Sequence, residues 1–217
     1  MKNLLYKEFK LAAHPTIYIF LFFGMMLLIP SYPYYVAFIY TCLAIFFVFL
    51  NGRESKDVFY TASLPIRKRD TVKARCCMIA IIELAQIIFA IPFAIIGNKI
   101  NANVGGNLAG IEANVAFFGF VFVMFALFNI IFIPMFYKTA YQAGKSFLWA
   151  GSAVAIYIVA IEVAVQAIQP LKTNLDTSAP DMLIKQLPIL AAGIVIYALT
   201  AVLAYKKAAN NFEKVDL

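Results

Sequence analysis

The chain has 217 residues, of which 64% are apolar and 13% charged, against roughly 25% charged in an ordinary soluble domain. A mean hydropathy of +0.85 excludes a disordered chain and argues against a soluble globular domain. The apolar runs are long and unbroken, which excludes the alternating strands of a membrane β-barrel, so the composition points to a polytopic all-α membrane protein. The net charge of +7 would suggest nucleic acid in a soluble protein, but here it is the Lys/Arg excess expected of cytoplasmic loops, and no nucleic-acid partner is expected.

In chain order, residues 1–15 are expected to form an interfacial helix. Leu4, Leu5, Phe9, Leu11 and Ala12 share one side of a helical wheel, and Tyr6, Lys7 and Lys10 the other. Glu8 falls inside the apolar arc, and His14-Pro15 ends the piece. Six spans are then predicted, at about 16–30, 34–50, 76–97, 114–136, 147–168 and 187–205. The first is read as uncleaved, because Pro30-Ser31-Tyr32-Pro33 follows it where a signal peptide would end in small residues. The connections at 98–113, rich in Asn and Gly, and 169–186, with Pro170 and Pro180, are longer than a hairpin needs. The second is expected to turn back as short helical pieces at 171–175 and 181–187. The proposed cytoplasmic segments hold 15 of the 18 basic residues, which places both termini inside a single transmembrane domain spanning 1–217. A bacterial cytoplasmic membrane is the expected location.

Catalysis is not expected of this chain, and neither a catalytic residue nor a metal site is assigned. Cys42, Cys76 and Cys77 lack metal or disulfide spacing and read as small apolar residues. The lone His14 has no ligating companions. Gly144-Lys145-Ser146 has Thr139 where a phosphate-binding loop needs Gly, so Ser146 is expected to cap the fifth span instead. No remaining soluble stretch is long enough for a nucleotide-binding domain, so energy must come from another chain or an ion gradient. Inside the spans, Glu83 and Gln86 share a face of the third, and Glu162 and Gln166 share a face of the fifth. Such residues either line a wetted pathway or bond neighbouring helices. Glu83 and Gln86 favour the second reading, while for Glu162 and Gln166 both stay open.

The most informative segment is 51–75, with seven basic residues against three acidic ones around an amphipathic middle. Phe59, Tyr60, Leu64 and Ile66 together exceed what a water-facing loop needs. They suit either a short helix docking on a cytoplasmic partner or a juxtamembrane helix among lipid phosphates.

The stretch Ser63-Leu64-Pro65-Ile66-Arg67-Lys68-Arg69, followed by Lys73-Ala74-Arg75 opening a span, resembles the permease subunits of the second-type ABC exporters. The opening Leu4-Leu5-Tyr6-Lys7-Glu8-Phe9-Lys10 is similar to that family's interfacial helix, although the usual Ser/Thr between Ile66 and Arg67 is missing. The resemblance implies two permease chains, here a homodimer, driven by two separate ATP-binding subunits that hold the ATP and Mg; this chain itself needs no cofactor. It makes 51–75 the coupling loop. Phe59, Tyr60, Leu64, Pro65 and Ile66 would form its apolar contact, and Arg53, Glu54, Arg67, Lys68 and Arg69 its polar rim. It makes 169–186 an external gate segment. The small size and compact loops are similar to exporters of phenol-soluble modulins and antimicrobial peptides, which implies an amphipathic peptide or lipophilic cargo. Two rivals stand beside this: a proton-coupled transporter using Glu83 or Glu162, and a non-transporting membrane immunity or assembly protein.

Overall fold

The computed structural model describes residues 1–13, 15–63, 65–101, 106–178 and 180–215, except the side chains of Val58, Phe59, Ala62, Pro180 and Asp181. Every regular element among them is helical. Helix α1 (Lys2–Lys7) runs into a π turn (Glu8–Ala12), and α2 (Thr16–Leu21) tightens into a 3-10 segment (Phe22–Leu28). Then follow α3 (Tyr35–Glu54), α4 (Asp57–Ser63), α5 (Lys68–Asn101), α6 (Val115–Phe136), α7 (Ala143–Ala167), α8 (Gln169–Leu175) and α9 (Pro180–Glu213).

Five helices, α3, α5, α6, α7 and α9, are long and apolar enough to cross a membrane. The predicted span at 16–30 is realised differently. Lys2–Ala12 and Thr16–Leu28 qualify only as one pair, bent by 90°. The 3-10 winding rises about 2.0 Å per residue, so Thr16–Leu28 reaches roughly 23 Å, short of the ~30 Å hydrocarbon layer. The predicted piece at 181–187 is not separate either: α9 runs unbroken through Pro188. Likewise α7 starts before Ser146, which sits inside the helix and donates to Gln142 O at 3.0 Å, so Gln142 takes the N-cap position. Ser146 therefore does not cap the span.

Helix α6 is apolar all round and forms the centre of the bundle: 72% of its apolar window is buried, against 17% for α7 and α9. Its most intimate neighbour is α9. A Cβ on Gly193 would lie 2.3 Å from Gly119 O, so the two backbones meet where neither helix has a side chain. The same device seats the 3-10 segment on α5, where a Cβ on Gly97 would lie 2.4 Å from Leu27 O. Between α3 and α6, Phe38 and Phe49 pack edge-on against Phe125, Phe132 and Phe136. The exposed faces of α5, α7 and α9 carry Ile88, Ile156, Val159, Leu199 and Val202, an apolar surface that suits lipid.

Contacts sort the helix ends into two groups. The N-terminal helix, α4, the start of α5 and the end of α9 gather at one end, where Lys68 Nζ donates to Val215 O at 2.7 Å. That end holds the basic cluster, the N-terminal helix and the end of α9. At the far end lie the 106–114 connection, α8 and the start of α9.

Candidate functional site

Helix α5 begins at Lys68, two turns before the predicted span, and this carries Arg75 into the basic end. Arg75 is almost fully buried, as is Glu8. Its Nε donates to Glu8 Oε2, and its Nη2 donates to Asp57 Oδ2 at 2.7 Å. Lys7 Nζ reaches Asp57 Oδ1 at 2.6 Å and Thr61 Oγ1 at 2.6 Å. The Arg75 guanidinium also lies 5.4 Å from the centre of the Phe49 ring. Two cations and two anions thus neutralise one another, with Arg75 and Glu8 buried and Lys7 and Asp57 at the edge of solvent, and pairing of this kind is what makes buried charges tolerable. Burial opposes ionisation of Asp57, but Arg75 and Lys7 outweigh it and hold its carboxyl below the usual value of 3.8. Glu8, which interrupts the apolar arc of the N-terminal helix, is thereby explained. It opens the π turn, whose Ala13 N donates to Glu8 O at 2.8 Å.

The network orients α4. Asp57 and Thr61, one turn apart, face inward, while Tyr60 is 62% exposed. Of the residues expected to meet a partner, Arg53 and Glu54 are exposed at the end of α3 and 3.8 Å apart. Pro65 and Arg67 are exposed and Ile66 is half-buried. Leu64 and the side chain of Phe59 lie outside the described residues. Lys68 and Arg69 bond α9: Lys68 sits 5.6 Å over Phe212, and Arg69, still 55% exposed, donates from Nη2 to Glu213 Oε2 at 2.8 Å.

In the middle of the bundle Glu83 is fully buried. Asn129 Nδ2 donates to both its oxygens, at 3.0 and 2.9 Å, and Tyr197 OH donates at 2.6 Å. The carboxyl group therefore ties α5 to α6 and α9. Gln86, also buried, bonds the first span when its amide is oriented so that Nε2 donates to Leu21 O (3.1 Å) and Oε1 accepts from Gly24 N (3.3 Å). In this conformation both side chains bond neighbouring helices, and neither faces an open pathway.

At the far end Glu162 is half-buried and accepts from Ile111 N at 3.2 Å, while exposed Gln166 donates to Asp176 Oδ2 at 3.1 Å. Both line a cleft of about 540 Å³, with Asn107, Gly110, Lys172 and Asp176. Gly110 lets the Glu162 carboxylate come close, since a Cβ would lie 2.7 Å from Glu162 Oε1 and the side chain would have to shift. Asp176 Oδ1 accepts from Glu112 N at 2.9 Å. Asn114 caps α6 by accepting from Phe117 N at 3.0 Å and donates to Leu175 O at 2.6 Å. Gln186 bridges α6 and the 169–186 stretch, accepting from Ala116 N (3.3 Å) and donating to Asn174 O and Thr177 O (both 3.0 Å).

Sequence reading had passed over Lys7, Asp57, Thr61, Arg75, Asn129 and Tyr197 as site residues. Two signals pointed to them. An acid on an apolar helix face requires a cation, and Asn129 is the sole amide in the otherwise apolar α6.

Taken together, the apolar helices and the charged end define a multi-pass membrane protein. A family model described as the ABC-2 family transporter protein matches residues 3–208. The chain belongs to that family, which makes it a membrane transport component and implies an ATP-binding partner. No curated protein and no solved structure matches the chain.

Proposed function

We propose that this chain is the pathway-forming subunit of an ATP-driven exporter in a bacterial cytoplasmic membrane. Two copies would work with two ATP-binding subunits, which hold ATP and Mg, to move an amphipathic peptide or lipophilic compound outward. The 1–217 chain acts as one transmembrane unit, and its basic end faces the cytoplasm, as the Lys/Arg distribution favours. The observation that supports this reading best is α4. It is a short helix at the basic end, clamped on its inner face through Asp57 and Thr61 and presenting Tyr60 outward. A helix fixed to the bundle on one side and exposing Tyr60 on another is what a moving cytoplasmic partner needs to push against. Exposed Arg53, Glu54, Pro65 and Arg67 surround it.

The test is affinity purification of the tagged chain, co-expressed with its cognate ATP-binding subunit, in mild detergent. ATP hydrolysis is then measured with and without an amphipathic helical peptide. The expected result is a stable complex whose hydrolysis responds to peptide and which Tyr60→Asp disrupts. A chain that purifies without the subunit would overturn the reading and leave a gradient-driven transporter or an immunity protein. A complex indifferent to peptide would exclude the proposed cargo class alone.

A further inference from the structure

A helix that receives a push is useful only if it passes the push on. Helix α4 has only seven residues and follows the end of α3 after two residues, so its side-chain bonds matter to how it sits on the bundle. What holds it, among the described residues, is concentrated at one carboxylate. Asp57 Oδ2 accepts from Arg75 of α5 at 2.7 Å, and Asp57 Oδ1 pairs with Lys7 of the N-terminal helix at 2.6 Å. Thr61 adds one bond from the same face, accepting from Lys7 Nζ at 2.6 Å. Arg75 in turn is bound to Glu8, so α5 and the N-terminal helix are joined to each other independently of α4.

The geometry points to Asp57 as a positioning residue that locks α4, the N-terminal helix and α5 into one body, with Arg75 as the point where movement of α4 enters the bundle. This rests on the reading of α4 as the coupling element. Two further observations support a route through α5. Eight residues beyond Arg75, about 12 Å along the same continuous helix, Glu83 bonds Asn129 of α6 and Tyr197 of α9. A displacement of α5 therefore reaches the two most intimately packed helices through a buried carboxyl group that accepts bonds from both. And the network closes at zero net charge, so Asp57 is bound by two cations that are themselves held by Glu8. The N-terminal helix is then part of the transmission and not only an interfacial anchor.

The experiment uses the full complex with its ATP-binding subunit, reconstituted in lipid nanodiscs. Spin labels sit on far-end sites, Leu108→Cys and Ile184→Cys, both well exposed, in a chain otherwise free of cysteine. Wild type is expected to show an ATP-driven change in label distance. Asp57→Asn removes the charge and leaves Arg75 paired to Glu8. It is expected to keep the ATP-binding subunit bound and basal hydrolysis within about twofold of wild type, while the ATP-driven distance change is lost. Asp57→Glu is expected to restore the change. Lys7→Met cuts the second tether and is expected to reduce the change as well, which covers the case in which Asp57→Asn does not assemble. A full distance change in assembled Asp57→Asn or Lys7→Met would overturn the inference and leave the coupling reading standing. A wild-type chain that binds no ATP-binding subunit would overturn that reading and the inference with it.

Discussion

The two ends of this bundle are held by different chemistry. At the basic end, side-chain charges join elements distant in sequence: Arg75 to Glu8 and Asp57, Lys7 to Asp57, and Arg69 to Glu213. At the far end, among the described residues, no salt bridge forms. There, side chains bond backbone instead: Glu162 to Ile111 N, Asp176 to Glu112 N, Asn114 to Leu175 O, and Gln186 to Ala116 N. Backbone groups of irregular loops must find partners wherever water is scarce, so the far end is built to satisfy a fixed loop. Ion pairs between separate helices satisfy no backbone and impose no loop shape. They join bodies, which suits an end that has to transmit movement.

The sharpest way to break this comparison is Arg75→Ala. It leaves buried Glu8 and half-buried Asp57 with Lys7 as their one remaining cation, and the loss should be about 3–5 kcal/mol, the range for breaking a buried ion pair. Unfolding in mixed detergent micelles would measure it, and a loss under 1 kcal/mol would show that water reaches the cluster. Asn114→Ala is the far-end counterpart. It removes a helix cap and the donor to two carbonyls, at Leu175 and Thr177, so a loss of about 1–3 kcal/mol is expected with the basic end unaffected. Salt separates the two, since raising ionic strength should leave the Asn114 contribution unchanged.

The smallest effect is one of pH and touches the basic end. The groups facing Asp57 are Lys7 of the N-terminal helix, Thr61 one turn along α4, and Arg75 of α5, itself paired to Glu8. Asp57 binds its proton less readily folded than unfolded. Its contribution is therefore full above about pH 4 and is lost as pH falls through the lowered folded value. A fluorophore on exposed Ser63→Cys should become more mobile in acid below that point. In Asp57→Asn it should be mobile at every pH. Wild-type anisotropy in Asp57→Asn would show that the carboxylate is not what holds α4.

Much of the fold was legible because membrane helices are a matter of length and apolar content. Spans two to six fall on α3, α5, α6, α7 and α9, with ends that differ by up to eight residues. Those ends differ for physical reasons. Helix α5 extends back to Lys68 because Arg75 is neutralised by Glu8 and Asp57, which a hydropathy window registers only as charge. Helix α9 extends to Pro180 because Gln186 finds backbone partners in neighbouring segments. The candidate site was legible only in outline. The 51–75 segment stood out for its mixed charge and apolar residues, yet which of its charges turn inward was hidden. Asp57 and Arg75 were two charges among ten, and nothing in the pattern showed that Lys68 and Arg69 also bond the end of α9.

What the sequence by itself determined is whatever depends on local composition: helical class, approximate spans, the concentration of Lys and Arg on alternate connections, and membership in a transporter family. Burial of apolar runs in lipid requires no knowledge of neighbours. Tertiary structure alone decided which polar groups meet. Glu8 and Arg75 are 67 residues apart, and Glu83 and Tyr197 are 114 apart. No periodicity encodes such pairs, because the partner of a buried charge is fixed by how helices cross. Here the crossing of α6 and α9 is set by backbone contact at Gly119 and Gly193, and this packing brings Tyr197 to the carboxylate that Asn129 also binds.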